Sequence, residues 1–374
     1  MTAGPLRVAT VITRLAGGAG MLALRGAVAL DPATHRVAVI TGSGALLPDA
    51  EAAGLEVIVE PALRAPISPA HDLLALHRLT TLLRRRRFDV VHTHCSKAGA
   101  LGRIAARRAG VGRIVHTYHG FGFHEFQSGF RRRAYVEIER GLGRITDLAL
   151  CVGSGVAVEA LRRGLLAPDR IRTTGVAVDH DAPTRTARAR RRARQRLGLA
   201  PTDLVVGAVG RLTYQKAPED FVAALRALNR PGVVGVWIGD GELAEPMRAR
   251  IAESGARVVL AGERDDVAEL LPAFDVFALP SRYEGLPLAI VEAMVCGVPV
   301  VATAVNAVGD VVAPGETGLL VPPGRPELLA ASIAHLLDSP GVADRLAAAA
   351  RARIDGRHRI EALAGTLVEA YGAR

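Results

Sequence analysis

The chain reads as an α/β protein of two domains, each a parallel β-sheet wound on both faces by helices, and three observations predict this. Short Val-, Ile- and Ala-rich runs alternate with longer amphipathic segments throughout, as parallel strands joined by crossover helices require. The 374 residues exceed one ordinary domain and suit two of roughly 180 residues each. The alternation stops once, over residues 179–203 (DHDAPTRTARARRRARQRLGLAPTD), where arginine and proline replace the apolar runs. In the first half, strands are predicted at 7–13, 36–41, 56–59, 89–94, 113–118, 147–152 and 170–174. In the second they are predicted at 204–210, 233–239, 257–261, 275–279 and 299–303. The expected organisation is a first domain over 1–182, an Arg-rich linker containing a helix over 183–200, and a second domain over 201–357. Residues 358–371 show helical periodicity.

Composition narrows the class. Hydrophobic residues make up 49% of the chain and aromatics 4%, enough to fill two cores built from Ala, Val and Leu. Cys95, Cys151 and Cys296 show no metal-type pairing and are odd in number, so a reducing, cytoplasmic compartment without structural disulfide or zinc is expected. The opening MTAGPLRVATVITRL passes straight into a strand-like run, and no export signal is read there. Residues 286–305 are mostly apolar, but Glu292, Gly297 and Pro299 interrupt them, and a buried helix, turn and strand is the better reading than a membrane span.

Charge is uneven. Residues 1–182 hold 24 basic and 15 acidic side chains, residues 183–200 hold 7 and 0, and residues 201–374 hold 16 and 22, within a net +10. The clusters at 84–87, 131–133 and 188–196 give the first half and the linker a basic face. Such a face fits either solvated surface or docking on the inner, anionic face of a membrane. Nucleic-acid binding is not expected, because no recognition motif is present and the few aromatics are not interleaved with the arginines.

Residues 284–292 (EGLPLAIVE) carry the most chemistry. The buried-strand pattern at 275–281 (DVFALPS) ends just before Glu284, and a helix is predicted to begin near Pro287, so Glu284 lies at a strand's carboxyl end, where open α/β sheets bind ligands. The helix N-terminus presents the amides of Gly285, Leu286 and Leu288 and a dipole suited to hydroxyls and negative charge. Eight helical steps between Glu284 and Glu292 would separate them by roughly 10 Å, about the span between the two sugar rings of a nucleotide-sugar. Taken alone, the spacing also fits a dipole-favouring first glutamate and a solvent-facing second one. Among 47 basic residues only Lys97 and Lys216 are lysines, and both fall in candidate ligand loops. A compact ammonium suits a diphosphate as a point charge.

In the first half, chemistry gathers at strand ends. Residues 15–20 (LAGGAG) follow the first strand, and their glycines permit close approach of backbone to phosphate or sugar. They do not form G-x-G-x-x-G, and Thr41 and Gly42 stand where a dinucleotide-binding acid would end the second strand, which weighs against a dehydrogenase. Residues 92–99 (HTHCSKAG) place His94 and Lys97 as acceptor or phosphate contacts, and residues 116–124 (HTYHGFGFH) place His119 at another strand end.

The E-x7-E segment resembles the signature of family 4 glycosyltransferases, and so do GAVGRLTYQK (207–216), WIGDGE (237–242), GVPVVATA (297–304) and GETGLLVP (315–322), in the family's order. The resemblance covers essentially the whole chain and is strongest in its second half. It implies the GT-B architecture, two Rossmann-like doubly wound domains facing a central cleft, with the terminal helix crossing back onto the first. It further implies a retaining transfer of a hexose-type sugar from a nucleotide-sugar, with uridine favoured. Gly17 and Gly18 match the glycine loop facing the donor phosphates, and His119 matches the histidine beside the donor sugar. Arg211 and Lys216 supply charge to the diphosphate in place of a metal, Glu284 with Gly285 and Leu286 holds the sugar, and Glu292 holds the ribose. Base contacts are expected from residues 262–267. No cofactor or metal is expected. Residues 306–310 (NAVGD) depart from the glycine pair and glutamate of many relatives. A lipid-linked glycan of surface polysaccharide synthesis is the leading acceptor; a soluble natural-product acceptor, a sugar-nucleotide epimerase and a non-catalytic binding module are the alternatives.

Overall fold

The structure, a computed structural model, describes residues 4–123, 127–354 and 358–372. The chain divides into two compact units, Met1–Ala177 with Arg357–Arg374, and Val178–Gly356.

The first unit is built on β1 (Leu6–Arg14), β2 (His35–Ser43), β3 (Glu56–Val59), β4 (Val90–His94), β5 (Arg113–Tyr118), β6 (Leu148–Cys151) and β7 (Ile171–Thr173). They form one seven-stranded sheet in the order β3-β2-β1-β4-β5-β6-β7, with every pair parallel. The order reverses at β1 and β4, so the helices divide between the faces: α1 (Gly17–Val28), α2 (Leu47–Ala52), α3 (Pro69–Arg86), α4 (Ser96–Ala109), α5 (Gly129–Gly143) and α6 (Ser154–Arg162). Val8, Val11, Ile12, Val39, Ile40, Val90 and Val91 are buried, because a sheet covered on both faces needs near-continuous apolar strands.

The second unit opens with α7 (Ala187–Arg196), followed by β8 (Leu204–Val209), α8 (Pro218–Leu228), β9 (Val233–Ile238), α9 (Ala244–Ser254), β10 (Val258–Gly262), α10 (Val267–Leu270), β11 (Val276–Leu279) and α11 (Leu288–Cys296). It continues through β12 (Val300–Thr303), α12 (Val308–Val311), β13 (Leu319–Val321), α13 (Pro326–Asp338) and α14 (Pro340–Arg353). The sheet is six-stranded, in the order β10-β9-β8-β11-β12-β13, and again parallel. Five of these strands match the expected positions; β13 is the addition. Its three residues follow a glycine turn and precede a proline, too short a run for periodicity to mark. Trp237, Phe221 and Leu212 anchor the core on one side of this sheet.

The last helix, α15 (Ile360–Gly372), belongs to the first unit. Tyr371 hydroxyl lies 2.7 Å from His92 Nδ1, Arg113 Nε donates to Ala370 carbonyl at 3.0 Å, and a Cβ on Gly26 of α1 would reach Leu367 at 3.0 Å, so the helices pack at glycine-limited distance.

Residues 183–200, expected as a linker, lie within the second unit. The reason is a single carboxylate: Asp275, at the start of β11, pairs with Arg185 at 2.9 Å, Arg190 at 2.5 Å and Arg194 at 2.9 Å, and also accepts the Val205 amide at 2.8 Å. Arg194 is 3% exposed, Arg196 pairs in addition with Asp266 at 3.2 Å, and α7 is thereby a helix docked on the second unit.

Candidate functional site

In the second sheet β8 and β11 are neighbours, and the chain runs outward from them in opposite directions. The crevice beyond their carboxyl ends is the topological switch point, where the loops diverge and leave room for a ligand. Lys216 comes from the loop after β8 and Glu284 from the loop after β11. Across 68 residues of sequence, Lys216 Nζ donates to Glu284 Oε1 at 2.5 Å. The same oxygen accepts from Ser281 Oγ at 2.5 Å, and Gln215 Nε2 reaches Oε2 at 3.3 Å. Both charged side chains are largely buried, 14% exposed for Lys216 and 4% for Glu284. The carboxylate is therefore held by three donors in a half-dry setting, and a lysine charge stands beside it.

The loops carrying this pair are pinned through their backbones. Arg282 amide donates to Gln215 carbonyl at 2.8 Å, Gln215 Nε2 donates to Tyr283 carbonyl at 3.1 Å, and Thr303 Oγ1 donates to Ser281 carbonyl at 2.6 Å. Asn306 Oδ1 accepts the Glu284 amide at 2.8 Å. Beneath them, the turn after β9 fits only glycines: a Cβ on Gly239 would sit 2.2 Å from Gly210 carbonyl oxygen, and one on Gly241 would sit 2.4 Å from Leu212 carbonyl oxygen. Trp237 Nε1 donates to the same Gly210 carbonyl at 2.8 Å. The WIGDGE segment is thus a platform for the Lys216 loop, which gives its residue types a packing reason.

Arg211 is exposed and forms no ion pair among the described residues. The amides of Gly285 and Leu286 find no acceptor among them either. Helix α11 begins at Leu288 with Pro287 as its N-cap, so only the last four steps from Glu284 to Glu292 are helical. The eight-step helical ruler does not apply; the helical part contributes about 6 Å, and the rest depends on the loop. Glu292 is half-buried on α11. In the expected base-contact loop, Arg264 grips Asp266 through two bonds of 2.8 Å.

The first unit gathers four histidines at the ends of β4 and β5. His92 is bridged by Tyr371 hydroxyl and Thr117 Oγ1, both at 2.7 Å, and His116 Nδ1 meets Thr93 Oγ1 at 2.8 Å. His94 Nδ1 meets His119 Nε2 at 2.9 Å, with ring centroids 5.2 Å apart. Burial pushes the His92 ring down to about 3 and the His119 ring down to about 4, and burial first, then neighbouring rings, lowers His94. For His116 burial again leads, with Arg103 adding to it. All four are neutral at pH 7, so in the His94–His119 pair one ring donates its N–H and the other accepts.

This geometry separates the expected site residues. His94 is 4% exposed, and its Nδ1 meets His119 Nε2 at 2.9 Å. Lys97 is committed to Asp72 of α3 at 2.5 Å and to Pro66 carbonyl, so the second of the two lysines ties its loop to a helix. Gly17, with φ of +61°, and Gly18 open α1 and are exposed. His124 lies outside the described residues. Ser281, Gln215 and Asn306 were not expected as site residues. The NAVGD departure marked the last of them without indicating its contact.

Residues 16–182 match the family described as Glycosyltransferase Family 4, and residues 189–353 match Glycosyl transferases group 1. The chain is 34% identical over 253 residues to the UDP-Gal:alpha-D-GlcNAc-diphosphoundecaprenol alpha-1,3-galactosyltransferase of Escherichia coli, covering 66% of this chain and 65% of that protein's length. It is 32% identical over 313 residues to a D-inositol 3-phosphate glycosyltransferase of Thermobispora bispora, covering 76% and 70%. It is 29% identical to the alpha-D-kanosaminyltransferase of Streptomyces kanamyceticus, covering 74% and 75%. Among solved structures, Anabaena HepE in complex with UDP and glucose superposes with a TM-score of 0.87 at 22% identity, covering 99% of this chain and 100% of that one. At that identity the likeness is one of fold, the GT-B class with its two parallel-sheet domains. Family matches in both units, together with relatives above 30% identity over two thirds of their length, make the chain a member of glycosyltransferase family 4.

Proposed function

We propose that the protein is a retaining glycosyltransferase that moves a hexose-type sugar from a UDP-linked donor to a lipid-linked glycan acceptor, without a metal. The observation that carries this reading is the Lys216–Glu284 pair at the switch point of the second sheet. In the resting protein the two groups neutralise each other. A donor diphosphate draws the Lys216 ammonium to itself, with Arg211 adding a second charge, and frees Glu284 to accept hydrogen bonds from the sugar hydroxyls. The amides of Gly285 and Leu286 assist, and Glu292 takes the ribose. The bond from the anomeric carbon to the diphosphate oxygen breaks while the acceptor oxygen bonds to the same face of that carbon. The acceptor proton passes to the departing phosphate oxygen, and no protein base is consumed.

The Escherichia coli relative, which uses UDP-Gal and a diphosphoundecaprenol-linked acceptor, supports both the uridine donor and the lipid-linked acceptor. The D-inositol 3-phosphate glycosyltransferases and the alpha-D-kanosaminyltransferase among its relatives support a soluble acceptor as the second reading. A surface feature favours the first. Phe130, 87% exposed, precedes the exposed Arg131 and Arg133 on α5, and Ile67 and Leu73, 71% and 68% exposed, lie at and near the start of α3. Apolar side chains flanked by cations suit an anionic membrane surface. Among the described residues no helix is long and apolar enough to cross a membrane.

The test is a panel of nucleotide-sugars scored for released nucleotide, with and without a diphosphoundecaprenol-linked acceptor, combined with vesicle co-sedimentation. Acceptor-dependent release from a UDP-sugar is expected, with vesicle binding that rises with anionic lipid and falls with salt. Donor turnover independent of any acceptor would point to an epimerase. Equal binding to neutral and anionic vesicles at low salt would shift the reading to a soluble acceptor.

A further inference from the structure

We infer that Asn306 is a positioning residue that sets how Glu284 meets the donor sugar, an inference that rests on the donor-site reading above. Asn306 follows β12 and stands in the left-handed region at φ +43°, which asparagine tolerates better than other non-glycine residues. Its side chain is turned back on the neighbouring loop: Oδ1 accepts the Glu284 amide at 2.8 Å, across 22 residues of sequence. Three residues earlier, Thr303 Oγ1 donates to Ser281 carbonyl at 2.6 Å. The end of β12 thus clamps the loop after β11 at two points, one through a carbonyl and one through the amide of Glu284 itself. The Glu284 carboxylate is steadied meanwhile by Ser281 and Lys216, both at 2.5 Å. Once Lys216 turns to the diphosphate, its support is withdrawn, and the main-chain clamp, together with Ser281 and with Gln215 Nε2 at 3.3 Å from Oε2, is what keeps the carboxylate aimed. The departure from the family's glycine pair at 306–310 therefore has a consequence in this chain: a side chain does work at a position where a glycine has none to offer.

The clamp acts on recognition of the sugar and not of the nucleotide, so the readout is the ratio of affinities for UDP and UDP-galactose. Asn306→Gly keeps the left-handed backbone without strain and removes only the acceptor. It is expected to leave UDP affinity within about twofold while weakening UDP-galactose by about tenfold, the equivalent of roughly 1.4 kcal/mol. Hydrogen exchange at the Glu284 amide is expected to quicken at least about tenfold, since its acceptor is gone. Asn306→Asp retains an acceptor and is expected to recover the ratio, even where its charge shifts both affinities together. Glu284→Gln is the control. A wild-type ratio and unchanged amide exchange in Asn306→Gly, with the ratio altered in Glu284→Gln, would overturn the clamp and leave the donor site standing. An unaltered ratio in both variants would overturn both.

Discussion

Lys216→Ala separates the two parts Lys216 plays. In the resting protein the ammonium sits 2.5 Å from a carboxylate whose side chain is 4% exposed. Removing one partner of a buried ion pair costs about 3–5 kcal/mol when the remaining charge is left bare. Here Glu284 keeps Ser281 at 2.5 Å and Gln215 at 3.3 Å, and hydrogen bonds to charged groups contribute about 1.5–3 kcal/mol each. The net loss is therefore placed near 2 kcal/mol, a fall of about 4–8 °C in the melting transition of a unit this size. Turnover is expected to fall by at least about 100-fold, because deleting one preorganised charge stabiliser costs about 2.7–4 kcal/mol in the transition state. Thermal melting and steady-state release of UDP measure the two effects separately. The double variant Lys216→Ala/Glu284→Gln removes the orphaned charge, so its melting temperature should recover while turnover stays low. Turnover within about threefold of wild type in Lys216→Ala would refute the assignment to the diphosphate. A double variant no more stable than the single would refute the argument from the orphaned carboxylate.

Activity is expected to survive saturating EDTA, since Arg211, Lys216 and the α11 amides are proposed to supply the positive potential; loss restored only by magnesium or manganese would contradict this. The first unit should lose stability on acidification: burial holds His92 at about 3 and His119 at about 4, so below pH 6.5 the unfolded chain takes up protons that the folded unit refuses. The stabilisation is complete above pH 6.5 and declines toward pH 4, by up to about 1.4 kcal/mol per pH unit for each ring, and calorimetry at pH 7.5 and 5 that shows no shift in this unit would refute it. Asp275→Asn should cost about 3–5 kcal/mol by leaving Arg194, 3% exposed, without its counter-charge, and a melting temperature within 2 °C of wild type, under about 1 kcal/mol, would show that α7 docks by other means.

Twelve of the thirteen strands were legible in the sequence because short apolar or β-branched runs bounded by turn residues alternate with longer helical segments, a signal carried by residues a few positions apart. The same locality made EGLPLAIVE and GRLTYQK readable as strand-end motifs, and made the scarcity of lysine informative. What each polar group meets was not local. Lys216 reaches Glu284 because β8 lies beside β11 in the sheet, a neighbour relation spanning 68 residues that no window of sequence contains. Lys97 carried the same sequence signal as Lys216, yet strand order and the course of α3 bring Asp72 to it instead. His94 reads in the sequence as an acceptor or phosphate contact, and the turn after β5 sets His119 against its ring, while the Arg-rich segment reads as a linker until Asp275 gathers three of its arginines. The sequence by itself determined which residues are capable of charge, hydrogen bonding and tight turns, and where strands end. Only the tertiary structure decided which of those capabilities are consumed within the protein and which remain for a ligand, because a buried charge or ring is satisfied by whatever the sheet order sets beside it.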